Sequence, residues 1–549
     1  MRSFLALSLV ALSSCYDDGA YKAILAHQAA QANTTSSSGE GSGPVGITVT
    51  VTGVTSGESS STTETSSGTE GGGEGEGEIE PQVFLQVSPP VLEVAGPVAF
   101  TVEHSSEIER LALFEGDSDE PTLEWLADEA PPPLLVTRRE NSDVLAFTVR
   151  GYDAEDRSSV SDPAFVQLLL PPPGTLLWEK TFEVGSKGRG RSVASGLIND
   201  EPKIIVGFDS DTKARAGRYT PQGDPELIAP ASSAPVSTVS AVALDQAGNI
   251  LAVGTDTIDD ESRPWLAQID PHTADVNYLF QGKVGEVATG LALDPKSGRI
   301  YVSGHSPGDK PSASDARIWA LSETGELIWT NTWERPVQEK HKGEPVDVAH
   351  GVAVLDNGDP VLVGESSYQP PGDKPPPPVE NWAFALRYNS NATLDADKTW
   401  TSEGALNSAG AHAVIPDRDN GLLVAGWSSI AEGAPRQATF FGFGEFLKAA
   451  DLYTVEATHQ HTARGLARLP TGDMVLAMDV DNTDDGVYFA EIRGVEGLFG
   501  PPPWHQDFGG DGIVGRVSQV TLTANAHILV VGTRVTAGIN TMFLAALHP

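Results

Sequence analysis

Seven polar residues recur at one position of an internal repeat in the C-terminal part of the chain: Ser195, Ser240, Thr289, His350, His412, Arg464 and Ser518. Two imidazoles and a guanidinium on three consecutive repeats could hold an anion or a carboxylate, whereas two imidazoles alone make an incomplete metal site. The same residues would serve equally to fasten neighbouring repeats or to face channel water. Carboxylates offer the other chemistry. Asp479, Asp481, Asp484 and Asp485, in the run Asp479-Val-Asp-Asn-Thr-Asp-Asp-Gly486, are oxygen donors of the kind calcium takes, with a solvated loop as the alternative. Asp417-Arg-Asp-Asn-Gly421 carries part of that pattern, but it falls where other repeats have Asp245-Gln-Ala-Gly248, Asp294-Pro-Lys-Ser-Gly298 and Asp356-Asn-Gly358. Those are hairpin turns in which Asn and Gly supply positive φ. There is no Ser/His/Asp or Cys/His signature, phosphate loop or HExxH helix. Gly509-Gly-Asp-Gly512 follows Trp504-His-Gln-Asp-Phe508 and reads as a connection between repeats. No catalytic residue and no cofactor is expected, calcium being the one candidate metal.

The repeat that must position these residues fills 174–549. Its second strands are Ile204-Ile-Val-Gly207, Leu251-Ala-Val-Gly254, Tyr301-Val-Ser-Gly304, Val361-Leu-Val-Gly364, Leu423-Val-Ala-Gly426, Val475-Leu-Ala-Met478 and Leu529-Val-Val-Gly532, ending 47, 50, 60, 62, 52 and 54 residues apart. Periods near 50 with four short strands each predict a seven-bladed β-propeller, whose blades bury their faces only by stacking. Trp265, Trp319, Trp382 and Phe543 on the third strands suit blade-to-blade packing. First strands lie nearest a propeller axis, so the seven polar residues become a candidate axial ring. Gly174-Thr-Leu-Leu-Trp178-Glu-Lys-Thr-Phe182-Glu183 matches the fourth strand of blade 3, Gly325-Glu-Leu-Ile-Trp329-Thr-Asn-Thr-Trp333-Glu334, yet precedes blade 1. It should therefore complete blade 7 and remove a free sheet edge. The repeats resemble bacterial propeller repeats of the SBBP or delta-60 type. Blade 3 alone, in Ala320-Leu-Ser-Glu-Thr-Gly-Glu-Leu-Ile-Trp329, resembles the quinoprotein repeat.

Upstream, 82–173 holds seven short alternating runs: 83–87, 98–102, 108–114, 122–126, 133–137, 145–149 and 164–170. That density predicts an immunoglobulin-like sandwich. The stretch from Phe147 through Tyr152 to the Ser158-Ser-Val-Ser161 return resembles the last hairpin of bacterial surface Ig-like domains, which implies a spacer or adhesion role. The fold class is thus all-β, a sandwich followed by a propeller. Composition agrees: 57 Gly, 39 Pro and 4 Met suit a turn-rich β protein. With 35 basic against 75 acidic side chains the formal charge is −40, which repels phosphate and excludes an electrostatic nucleic-acid binder.

A single cysteine excludes intramolecular disulfides and multi-thiolate metal sites. Residues 1–14 hold Arg2, an apolar run from Phe4 to Leu12 and the pair Ser13-Ser14, and read as an export signal too short to span a bilayer. Leu12-Ser13-Ser14-Cys15 resembles the lipobox of bacterial lipoproteins, which implies a diacylglyceryl group on Cys15, the alternative being an ordinary signal peptide. In Thr34–Glu80, 40 of 47 residues are Gly, Ser, Thr or Glu, so 15–81 is expected to be a solvated tether. The expected protein is exported and lipid-anchored in a bacterial envelope, at the outer membrane or cell surface rather than the inner membrane. It would present the propeller for ligand or protein binding, or for scaffolding. The alternative is a propeller hydrolase, lyase or quinoprotein with an axial active site. Long connections at 305–317, 334–346, 365–380 and 427–437 emerge on one face, so a protein or small-molecule partner is expected there, around blades 3 to 5.

Overall fold

The computed structural model describes residues 82–549 except 93–94, 117, 137–143, 309–312, 337–343, 370–380, 401–407, 418–420, 430–433, 445–446, 448, 455–459, 471, 483–486, 496–503, 510–513 and 537. All described residues fall within one compact unit, Gly77–Pro549. They form 37 strands and no α-helix.

The first nine strands make two sheets around one core. Val83–Ser88, Gly96–His104 and Leu134–Val136 form one sheet. The other runs in the order Val91–Leu92, Ala164–Leu168, Val144–Asp153, Ile108–Glu115, Leu123–Leu126, with Ser158–Val160 paired to Val144–Asp153. Strict alternation along Val144–Asp153 sends Leu145, Phe147 and Val149 inward. There they meet Val98, Phe100, Leu111 and Leu113, with the Phe100 and Phe147 rings edge-on at 5.3 Å. Val91–Leu92 and Ser158–Val160 add to the seven expected strands; at two and three residues they are too short to show a period.

Residues 176–547 form seven four-stranded antiparallel blades. Blade 1 is Arg189–Ile198, Glu201–Ser210, Lys213–Tyr219 and Pro225–Pro230, and blades 2 to 6 repeat that order. Blades 3 and 4 are additionally joined by one parallel bridge, Ser314 to Val346. Blade 7 has three strands of its own, Val514–Leu522, Ile528–Thr536 and Ile539–Leu547, and takes Leu176–Glu183 as its outer strand. The register runs from Leu176 opposite Leu547 to Glu183 opposite Thr541, so the N-terminal strand closes the ring.

The apolar second strands do not alternate in polarity because both their faces are covered. Seven hydrophobic clusters lie one at each blade interface, and successive residues of a second strand feed different ones. Ile205 packs between blades 1 and 2, while Ile204 and Val206 pack between blades 7 and 1. The recurring glycine of these strands answers a close approach. A Cβ at Gly254, Gly304, Gly364, Gly426 or Gly532 would lie 1.9–2.2 Å from a carbonyl oxygen of the first strand. Four of these glycines also seat a third-strand aromatic ring: Trp265, Trp319, Phe384 or Phe543. Phe384 takes that seat in blade 4, where Trp382 was expected.

A candidate axial site

Each first strand packs against the first strand of the next blade all the way round the ring. Each also carries one β-bulge, an extra residue that breaks the pairing and re-aims its side chain. The bulged residues are Arg191, Ser240, Thr289, His350, His412, Arg464 and Ser518. Six of the seven residues singled out in the sequence thus occupy equivalent bulges. Ser195 does not: blade 1 turns on two left-handed residues, Asn199 and Asp200, so its pairing runs to Ile198 opposite Glu201 and its bulge lies four residues earlier, at Arg191. Ser195 instead donates to the Leu522 carbonyl of blade 7 at 2.5 Å.

The bulges have a second tier that sequence reasoning missed. Opposite the residue two before each bulge stands one second-strand side chain: Asp209, Thr255, His305, Glu365, Trp427, Asp479 or Thr533. The available signal was position, since in six blades this residue directly follows the repeat's Gly or Met. Together the two tiers latch blade to blade. Ser240 Oγ donates to the Ala288 carbonyl at 2.7 Å while the Ala288 N–H donates to Thr255 Oγ1 at 3.1 Å. Blade 7 clasps Gly190 of blade 1 in the same way through Ser518 and Thr533. Blades 1 and 6 use an ionic version. Arg191 pairs with Asp209 at 2.6 Å and Arg464 with Asp479 at 3.2 Å, while the two aspartates accept the N–H groups of Val239 and Val517. Blade 3 keeps half a latch, Thr289 donating to the Ala349 carbonyl at 2.6 Å.

Blades 4 and 5 have neither half among the described residues. Their pairs are His350 with Glu365 and His412 with Trp427. The hydrophobic cluster between these blades is nonetheless complete, with Val363, Ala385, Ala411 and Val424 fully buried. Above it, His350 Nε2 stands 3.7 Å from Glu365 Oε1, and the His350 and His412 rings lie 4.7 Å apart. Arg464 Nη1 is 3.3–3.4 Å from the His412 ring nitrogens. The Arg436 guanidinium lies 4.0 Å over the Trp427 ring. Burial, then the charges of His350, Arg464 and Arg436, hold His412 well below the ordinary imidazole pKa, so it is neutral at pH 7. Burial and His350 likewise bring His305 down to about 4. Burial pushes Glu365 up, but His350, Arg436 and Arg464 outweigh it and hold the carboxyl low, hence ionised.

Of the expected calcium carboxylates, only Asp479 has its side chain among the described residues. Asp479 Oδ2 faces Arg464 and Oδ1 the Val517 amide. Asp481 lies in the same second strand, and Asp484 and Asp485 fall outside the described residues, as do Cys15, the tether and much of the long connections at 305–317, 334–346, 365–380 and 427–437. No group of three or more His, Cys, Asp or Glu is arranged for a metal among the described residues. Asp417 N–H closes its hairpin on the Gly421 carbonyl at 2.9 Å, and its carboxylate pairs with Arg468. A cavity of about 370 Å³ opens elsewhere, beside the first-hairpin turns of blades 3 and 4, lined by Leu293, Pro295, Val354 and Leu355. It contains none of the axial cluster.

No protein-family model matches the sequence, and no curated protein does. Solved structures resemble it in fold at low identity. A protein of unknown function from Dyadobacter fermentans DSM 18053 is 12% identical, with a TM-score of 0.42 over 69% of this chain and 100% of that one. The β-propeller domain of the Trilobed protease from Pyrococcus furiosus is 9% identical, with a TM-score of 0.37 over 65% and 93%. A putative 6-phosphogluconolactonase from Bacteroides fragilis is 14% identical, with a TM-score of 0.37 over 65% and 93%.

Proposed function

We propose that the chain is a bacterial envelope lipoprotein that holds its propeller away from the membrane, on a tether and an Ig-like spacer, and uses it to bind. The observation that carries the binding role is the pair of missing latches. Leaving buried polar groups without partners costs about 1–3 kcal/mol each. Blades 2 and 7 show that a hydroxyl at the bulge and another on the second strand would avoid that cost. Blades 4 and 5 instead carry imidazole, carboxylate and indole groups at these positions, beside two guanidiniums. Groups kept at the expense of stability in this way are characteristic of sites.

Affinity capture from envelope extract by the full chain, compared with the His350→Ala/His412→Ala double variant, tests the reading. Loss of a captured component at unchanged melting temperature supports it, and identical capture removes the axis from the binding surface. Mass spectrometry of the mature N-terminus tests the anchor: a diacylglyceryl-modified Cys15 is expected, and an unmodified one refutes it.

A further inference from the structure

Gly410, two residues before the His412 bulge, has no counterpart in the ring. The equivalent positions hold Arg189, Thr238, Val287, Val348, Thr462 and Arg516. Its φ lies outside the left-handed region, so the glycine answers space and not backbone conformation. A Cβ there would meet Trp427 Nε1 at 2.4 Å and Glu365 Oε2 at 2.6 Å. The missing side chain lets an indole donor and a carboxylate converge at the unlatched seam. Trp427 is 2% exposed, yet its Nε1 has no hydrogen-bond partner, and the buried His350 Nε2 faces Glu365 Oε1 only at 3.7 Å, beyond hydrogen-bond reach. A ligand at the seam would supply both nitrogens with partners.

The charges select its class. Asp479 already answers Arg464. That leaves one ionised carboxylate, Glu365, which His350 Nε2 faces at 3.7 Å, and one guanidinium, Arg436, which forms no ion pair among the described residues and lies over the Trp427 face. A metal is disfavoured because both guanidiniums repel it. A simple anion would meet Glu365, and a simple cation would meet Arg436 and Arg464. A solute carrying both signs satisfies the two ends together. Resting on the binding role proposed above, we propose that the seam between blades 4 and 5 binds a small zwitterionic aminocarboxylate, with its carboxylate on Arg436 and its ammonium on Glu365. Trp427 and His350 complete its hydrogen bonds.

Equilibrium dialysis of the full chain with radiolabelled L-serine and glycine tests this, with acetate and ethylammonium as one-ended competitors. Saturable binding of either amino acid is expected, displaced by the other and not by equimolar acetate or ethylammonium. Arg436→Met, at an exposed position, should weaken binding at least tenfold without unfolding the protein, and Glu365→Gln should do the same. Ser518→Ala, in a latch across the ring, should bind as the parent does. No saturable binding of either amino acid overturns the proposal, as does displacement by acetate alone or full binding by Arg436→Met. Such a failure leaves the capture result intact, because a macromolecule on the long-connection face needs no zwitterion at the axis.

Discussion

Ser240 and Thr255 between them satisfy both backbone groups of Ala288, and so each can be judged by what its removal strands. Thr255→Val keeps the volume and leaves a buried N–H unpaired, and a loss of about 1–3 kcal/mol in urea unfolding is expected. The opposite change is available at the seam. His412→Ser restores to blade 5 the hydroxyl that blades 2 and 7 carry, and should stabilise the protein by about 1 kcal/mol. An equal or lower urea midpoint would mean that the imidazole is structural. The histidines also set a pH dependence. His305 titrates near 4 when folded and near its ordinary 6.5 when unfolded. The unfolded chain therefore takes the proton first, and stability present above pH 6.5 is lost as pH falls toward 4. Asp347, raised to about 6 by burial, acts in the opposite sense over an overlapping range, favouring the folded chain at low pH. The informative quantity is therefore the difference between parent and variant: His305→Gln should flatten the fall in urea midpoint from pH 7 to pH 5, and an unchanged slope would contradict the assignment.

At the scale of the element, the bulge and the glycine facing it are one device. The first strand bends so sharply that its carbonyl leaves no room for a side chain across the ladder. Gly254→Ala would set a Cβ 2.0 Å from the Thr238 oxygen and 2.5 Å from the Trp265 ring, and should cost about 3 kcal/mol or more. Gly442→Ala, whose Cβ would meet Leu423 at 3.7 Å, should be near neutral in the same unfolding assay, and comparable losses would undo the argument. This device explains what the sequence made legible. Seven apolar strands ending in Gly or Met gave the blade count, because packing on both faces removes polar residues from them. The bulge ring followed in six blades, where the first strand and the glycine keep an almost constant separation. It failed at Ser195 because the two-residue turn at Asn199–Asp200 lengthens the blade 1 hairpin, which places Phe208 opposite Gly190 and moves Gly207 to Ser192. The cluster was only half legible. His350, His412 and Arg464 stood out by type, but Glu365 and Trp427 join them only through pairing across a strand, and Arg436 only through a ring contact.

In the whole molecule, the closing strand decides whether seven interfaces act as one. Leu177, Trp178 and Phe182 pack onto the cluster shared by blades 7 and 1, and Lys180 reaches Asp224 of blade 1 at 2.8 Å. Trp178 also lies against Gly223, where a Cβ would be 2.5 Å away, so Leu176–Glu183 holds blade 7 and leans on blade 1 at once. Opening it exposes the edge of Ile539–Leu547 and leaves the first and last blades joined only by their axial latch and the cluster between them. The double variant Lys180→Pro/Thr181→Pro removes whichever of the two N–H groups faces that edge. An equal local insult, Tyr278→Pro/Leu279→Pro, falls in the outer strand of blade 2 and opens no ring. Both lose one blade's outermost pairing and one side-chain tie, Lys180 to Asp224 in the first and Tyr278 to the Ser233 N–H in the second, so the excess in the first measures closure. The closing-strand variant should unfold at a clearly lower denaturant concentration than its blade 2 counterpart and should form oligomers through the freed edge, as read by light scattering after size exclusion. Equal midpoints with both proteins monomeric would show that the ring gains nothing from being closed by its N-terminal strand.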